Sequence, residues 1–144
     1  NDVLTGNAAA NFFFGGNGND TLTGAGGNDR LQGGAGNDAF VFNAAPGNAN
    51  SDVVVDFATG VDKLQMENSV MTAIGAAGNF ASGDVRFWAA AGATSGHDAN
   101  DRIVYNTSNG TLYYDADGSG AGAAQLIATL QGQAALAATD IAVI

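Results

Sequence analysis

The sequence predicts an all-β fold: a parallel two-sheet coil of nine-residue repeats followed by an antiparallel β cap. Three observations predict it. A nine-residue pattern recurs five times at the start of the chain. Strong helix formers are scarce, since Glu67 is the only Glu and Lys63 the only Lys. Short β-branched and aromatic runs, separated by Gly, Asn and Asp, fill the remainder.

The repeat comes first. GGNGNDTLT (Gly15 to Thr23), GAGGNDRLQ (Gly24 to Gln32) and GGAGNDAFV (Gly33 to Val41) align without gaps. GNAAANFFF (Gly6 to Phe14) is a degenerate copy, and NDVLT (Asn1 to Thr5) is the tail of another. The sixth position holds Asp2, Asn11, Asp20, Asp29 and Asp38; the eighth holds Leu4, Phe13, Leu22, Leu31 and Phe40. Gly at the first, second and fourth positions permits a tight turn with exposed carbonyls. The Asp closes the turn, and the last three residues extend with the middle one pointing inward. Two units make one coil of 18 residues, so loops on one side recur every second copy. Asp2, Asp20 and Asp38 are then expected on one edge, with Asn11 and Asp29 on the other. Strands in adjacent coils lie about 4.8 Å apart, so stacked carboxylates repel. A hard cation removes that repulsion, and an oxygen-only ligand set selects Ca²⁺ over Zn²⁺ or Cu²⁺.

These residues resemble the RTX (hemolysin-type calcium-binding) β-roll over residues 1–43, a family whose nonapeptide signature is well known. The resemblance implies Ca²⁺ held between loops one coil apart, by Asp carboxylates and turn carbonyls. Its first site lies between Gly15–Asp20 and Gly33–Asp38, with Gly15, Asn17, Gly18, Gly33, Ala35 and Gly36 as turn residues. A second pairs Asp2 with Asp20. A third pairs Asn11 with Asp29, flanked by Gly24 and Gly26. Asn11 brings no charge to it, and Ala8, Ala9, Ala10 and Ala25 stand where the pattern wants Gly.

Residues 44–144 form the expected cap. AAPGNAN (44–50) reads as a loop, and Ser51 to Phe57 as a strand. Ala58 to Met66 reads as a turn leading into another strand. The stretch Asp52 to Leu64 resembles the segment after the repeats in serralysin-type and other exported RTX proteins. By that resemblance Asp56 and Asp62 cap the last coil or bind further Ca²⁺. Residues 69–77 suggest a short helix interrupted by Gly75. Residues 84–91, 101–106, 111–116, 123–130 and 141–144 read as strands, with Asn109-Gly110 signalling a hairpin. Asp115, Asp117, Ser119 and Gly120 follow EF-hand loop spacing, but Leu126 stands where the bidentate Glu belongs. That loop is either a turn with solvated carboxylates or a weak Ca²⁺ site.

Charge and chemistry narrow the function. Fourteen acidic residues against four basic give a net charge of −10. This argues against nucleic acid or an anionic membrane as partner. No segment is long and apolar enough to span a membrane as a helix. Without Cys there is no disulfide framework and no thiolate site. The single His97 rules out two-His zinc motifs, and Ser95, His97 and Asp98 are too close in sequence for a converging triad. Trp88 and the Tyr residues read as core. No enzyme activity is expected in this segment, although a parent chain's upstream part is free to carry one.

The last five residues, Asp140 to Ile144, resemble the C-terminal export signal of type I secretion substrates. The chain opens at Asn1, without Met and inside a repeat, so a fragment or processed piece of a longer protein is expected. The expectation is a secreted, extracellular or cell-surface calcium-binding module. Its expected partners are the type I secretion machinery and an upstream domain, with self-association as a further option. The alternative is a structural or adhesive unit of an extracellular filament, surface layer or matrix.

Overall fold

The computed structural model describes all 144 residues. Its strands are β1 (Val3–Thr5), β2 (Phe12–Asn17), β3 (Thr21–Thr23), β4 (Arg30–Ala35), β5 (Ala39–Phe42), β6 (Asp52–Val54), β7 (Lys63–Met66), β8 (Gly78–Asn79), β9 (Phe87–Ala90), β10 (Ile103–Asn106), β11 (Thr111–Tyr114), β12 (Gln125–Leu130) and β13 (Ile141–Val143). They form two sheets, ordered β1-β3-β5-β7-β13-β8 and β2-β4-β6-β12-β11-β10-β9. The fold is a β-roll of parallel coils extended by further strands.

The nine-residue pattern places successive strands in alternate sheets, so every second copy pairs in parallel. Leu4, Leu22, Phe40 and Leu64 stand in register across one sheet. Phe13, Leu31 and Val54 do so across the other. These columns point between the sheets: Leu22, Leu31, Phe40, Val54 and Leu64 are fully buried. Each such side chain contributes about 1.5–3 kcal/mol of hydrophobic stabilisation. Leu4 and Phe13, in the outermost coil, are only half-buried because no coil covers them.

The turns also stack. β2 and β4 run on into the glycines, pairing Gly16 with Gly34 and Asn17 with Ala35. Gly34 has φ +99°, and a Cβ there would collide with the Gly16 carbonyl oxygen. Only glycine fits a left-handed residue at that spacing.

Both sheets and one hydrophobic core continue past residue 43. β6 pairs with β4 and β12, and β7 with β5 and β13, all in parallel. Antiparallel pairing is confined to β8 with β13 and to β10, β11 and β12; β9 joins β10 in parallel. The cap is therefore mixed, not purely antiparallel, because the chain returns to the coil's open edges from a distance. The hairpin at residues 107–110 forms between β10 and β11. Where residues 69–77 suggest a helix, only a 3₁₀ turn at Thr72–Ile74 forms, with Gly75 at φ +99° ending it. Tyr105 and Tyr114 are core residues whose hydroxyls meet the Ala134 carbonyl and the Ala73 N–H.

Candidate metal centre

Each coil edge carries a ladder of acidic side chains. On the first, Asp2 N–H donates to Asp20 Oδ1 at 2.6 Å, Asp20 N–H to Asp38 Oδ1 at 2.8 Å, and Asp38 N–H to Asp62 Oδ1 at 3.0 Å. On the second, Asn11 N–H donates to Asp29 Oδ1 at 2.7 Å and Asp29 N–H to Asp52 Oδ1 at 3.0 Å. One oxygen of each acceptor Asp thus fastens a coil to the coil before it. Charge-assisted bonds of this kind offset part of the mutual repulsion.

The other oxygens are the chemistry. Asp20 Oδ2 and Asp29 Oδ2 are buried and receive no hydrogen bond. Leaving a carboxylate oxygen buried and unpaired is costly. A Cβ built on Gly15 would lie 2.5 Å from Asp20 Oδ2 and 2.6 Å from the Gly33 carbonyl oxygen. A carboxylate and a carbonyl from successive coils therefore converge beside Gly15. The carboxylate half of this arrangement repeats at Gly33 with Asp38 Oδ2 and at Gly24 with Asp29 Oδ2. At Gly6 the amide oxygen of Asn11 and the Gly24 carbonyl take these places. Hard oxygen donors, two buried carboxylate oxygens without a hydrogen-bond donor and no nitrogen or sulfur ligand fit Ca²⁺.

The structure distributes the other sequence candidates. Gly15, Asn17 and Gly18 stack directly on Gly33, Ala35 and Gly36, with Gly18 N–H donating to the Ala35 carbonyl at 2.7 Å. Gly26 lies against Ala8 and the Asn50 side chain, joining the degenerate turn to the loop beyond. Asp56 accepts the N–H groups of Gly33 and Gly34, each at 3.0 Å, and so closes that turn. Asp62 accepts Asp38 N–H and Ala58 N–H. Burial raises the Asp62 carboxyl, the two N–H groups oppose this, and the charges of Asp38 and Asp56 reinforce it.

Asp115 is fully buried and binds Gly96 N–H at 2.9 Å and its neighbour Asp117 N–H at 3.3 Å. Asp117 binds Gly122 N–H at 2.9 Å. Asp115 ties the 96–101 loop to the 115–122 loop, Asp117 closes the latter on itself, and neither joins a ladder.

Sequence reading missed Asp52, Asp101 and Asp140. Asp52-Val53-Val54-Val55 and Asp62-Lys63-Leu64-Gln65 have the Asp–x–apolar–x tail of the repeat without its glycine turn, which was the available signal. Burial, then the charge and side-chain contact of Asp29, push the Asp52 carboxyl up to about 7, against the Asp29 N–H bond. Asp140 accepts Thr59 Oγ1 at 2.6 Å and Gly60 N–H at 3.0 Å, capping the turn before Asp62. Asp101 Oδ2 accepts the N–H groups of His97 and Asp98 and meets His97 Nδ1 at 2.9 Å. Burial pushes that carboxyl up, but the N–H bonds and His97 outweigh it and lower it. The His97 ring stacks on Trp88 with centroids 4.0 Å apart, so His97 is an exposed loop residue lying against that ring.

None of the curated proteins matches this chain. Residues 1–22 and 14–44 match the family model of the RTX calcium-binding nonapeptide repeat, in four copies. The N-terminal segment is therefore built of RTX nonapeptide repeats, a calcium-binding family, and the ladder of Asp carboxylates and glycine turns is an RTX-type calcium-binding module.

Proposed function

We propose that the chain is a non-catalytic, calcium-folded module at the C-terminal end of an exported bacterial protein. The observation that carries this reading is the pair of buried, unpaired oxygens on Asp20 and Asp29. Without a cation these oxygens oppose the stacking that the backbone ladder favours. Extracellular calcium modules typically have Kd of about 10⁻⁴–10⁻³ M. At millimolar Ca²⁺ each filled site then adds roughly 0.4–1.4 kcal/mol by mass action. At cytosolic Ca²⁺ the sites stay empty, the repeats stay unfolded, and the chain can be threaded by a type I secretion machine.

The terminal segment suits that order of events. β13 is buried between β7 and β8, and Asp140 is held by Thr59 and Gly60. A transporter reading Asp140 to Ile144 must do so before folding. The absence of Cys suits a chain that folds after export without oxidation. Together these features favour an extracellular module.

The test is far-UV circular dichroism during titration with CaCl₂, with MgCl₂ as control. Cooperative gain of β signal with Ca²⁺ alone is expected; an unchanged, fully folded spectrum in EDTA overturns the reading.

A second reading rests on a different observation. β9 (Phe87–Ala90) pairs on one side only, and Val85 beside it is 67% exposed. Open edges with apolar residues favour association. A filament or matrix unit predicts Ca²⁺-dependent oligomers in sedimentation velocity, and a purely monomeric profile overturns it.

A further inference from the structure

Away from both ladders, the loop between β9 and β10 brings a nitrogen ligand together with two carboxylates. His97 is the only His in the chain and there is no Cys, so its imidazole is the one side chain of the kind that borderline metals prefer. His97 Nδ1 lies 2.9 Å from Asp101 Oδ2 and 3.8 Å from Asp98 Oδ2. The ligand atoms of all three residues lie within 4.8 Å of one another.

We propose that His97, Asp98 and Asp101 form a site for a divalent transition metal of the Zn²⁺ type, separate from the calcium ladders. Two ligands on a tetrahedral ion, each about 2.1 Å from it, stand about 3.4 Å apart. The separations of 2.9 and 3.8 Å fall on either side of that value. At 3.8 Å Asp98 Oδ2 is too far from the ring for a hydrogen bond, but well placed to share an ion with it. Asp101 Oδ2 already accepts the N–H groups of His97 at 2.7 Å and of Asp98 at 3.0 Å. That oxygen is therefore satisfied without the imidazole, and a carboxylate has lone pairs left for an ion. The metal takes the place of the proton on Nδ1, which leaves to solvent, and offsets both carboxylate charges. Three protein ligands leave the fourth position to water. Ca²⁺ and Mg²⁺ take oxygen ligands, so the imidazole sets this site apart from the ladders.

The fold presents these ligands to solvent on a fixed frame. The Asp101 side chain is 3% exposed, while those of His97 and Asp98 are 54% and 49% exposed. A buried anchor thus carries two ligands that an ion can reach from outside. Gly96 N–H is held by buried Asp115 at 2.9 Å, and Ser119 N–H donates to the Asp98 carbonyl at 2.9 Å. Arg102 Nη1 donates to the carbonyls of Ala99 at 3.0 Å and Asp101 at 2.6 Å, and so leaves the two carboxylates to the ion. Trp88 stacks on the imidazole at an interplanar angle of 19° and fixes the plane of the ring.

The test uses the whole chain in buffer containing excess Ca²⁺, with Zn²⁺ and Co²⁺ as probes. Native mass spectrometry counts bound Zn²⁺. Trp88, the only Trp, reports Co²⁺ at the adjoining imidazole through quenching of its fluorescence. One Zn²⁺ per chain is expected, together with Co²⁺ quenching that Zn²⁺ reverses. His97→Gln abolishes both signals, and Asp98→Asn weakens Zn²⁺ binding at least tenfold. Neither variant changes the number of Ca²⁺ bound. Both replace half-exposed side chains, so the fold does not depend on them. A chain that takes up no Zn²⁺, or binding that survives either substitution undiminished, overturns the site. Displacement of Zn²⁺ by Ca²⁺ overturns its separation from the ladders.

Discussion

The coil of residues 1–43 and the region after it share two continuous sheets but are held by different forces. Four of the 21 residues in the hydrophobic cluster lie in the coil: Leu22, Leu31, Phe40 and Phe42. The others, among them Met71, Ile74, Ile103, Tyr105, Leu112 and Leu130, belong to the later strands. The coil relies on stacked turns and carboxylate ladders, two of whose buried oxygens are unpaired. One region is held mainly by apolar burial, and only marginally until the coil has formed beside it. The other is a set of negatively charged steps whose stability is linked to a cation. A shared sheet therefore does not imply shared stability.

Removing calcium separates the two regions most strongly. In EDTA, hydrogen exchange is expected to leave the amides of Thr21–Thr23, Arg30–Ala35 and Ala39–Phe42 nearly unprotected. Ile103–Asn106, Thr111–Tyr114 and Gln125–Leu130 keep partial protection, in a remnant marginal enough for the chain to be threaded. Simultaneous loss in both regions breaks the comparison and makes the whole chain one calcium-dependent unit.

Core truncation comes next. Phe40 is fully buried, and its ring packs on Phe57 with centroids 6.4 Å apart. Phe40→Ala is expected to cost about 3–5 kcal/mol in denaturant melts with Ca²⁺ present. Leu4→Ala, at the same repeat position in the uncovered outer coil, should cost less than about 1.5 kcal/mol. Equal costs would mean that something covers the outer coil in solution.

The smallest effect is pH dependence at a low, fixed Ca²⁺ concentration at which the coil still folds. The Asp52 carboxyl titrates at about 7 in the folded chain and at 3.8 when free. A carboxyl raised by folding favours the folded state while protonated. Its contribution is full below about pH 4 and is lost as pH rises through about 7. Three pH units at about 1.4 kcal/mol each bound the loss at about 4 kcal/mol, and local relaxation makes the effective loss smaller. Asp52→Asn should flatten this slope in melts at that Ca²⁺ concentration. An unchanged slope in that variant assigns the pH dependence to other carboxylates and removes the link between Asp52 and the ladder.

The coil was legible because its information is local and periodic. Asp20, Asp29 and Asp38 each precede an inward Leu or Phe by two residues, and every copy has the same neighbours. That places Asp20 above Asp38 and Leu22 beside Phe40 without knowledge of the rest of the chain. The cap was legible only in pieces. The Asn109-Gly110 hairpin depends on four adjacent residues and could be read directly. The helix suggested for residues 69–77 could not survive Gly75, whose φ of +99° ends a single 3₁₀ turn.

Sequence alone determined the nine-residue rhythm, the inward columns and an oxygen-only ligand chemistry suited to Ca²⁺, because these arise from side-chain type and spacing. Tertiary structure decided that β12 and β13 complete the two sheets in parallel beside β6 and β7. It also assigned Asp62 and Asp140 to one edge and Asp52 to the other. Asp140 meets Gly60 across 80 residues, and Asp29 meets Asp52 across a loop of irregular length. No local pattern encodes such meetings. They are set by which strand edges remain open and which buried oxygens still need a partner once the coil has formed.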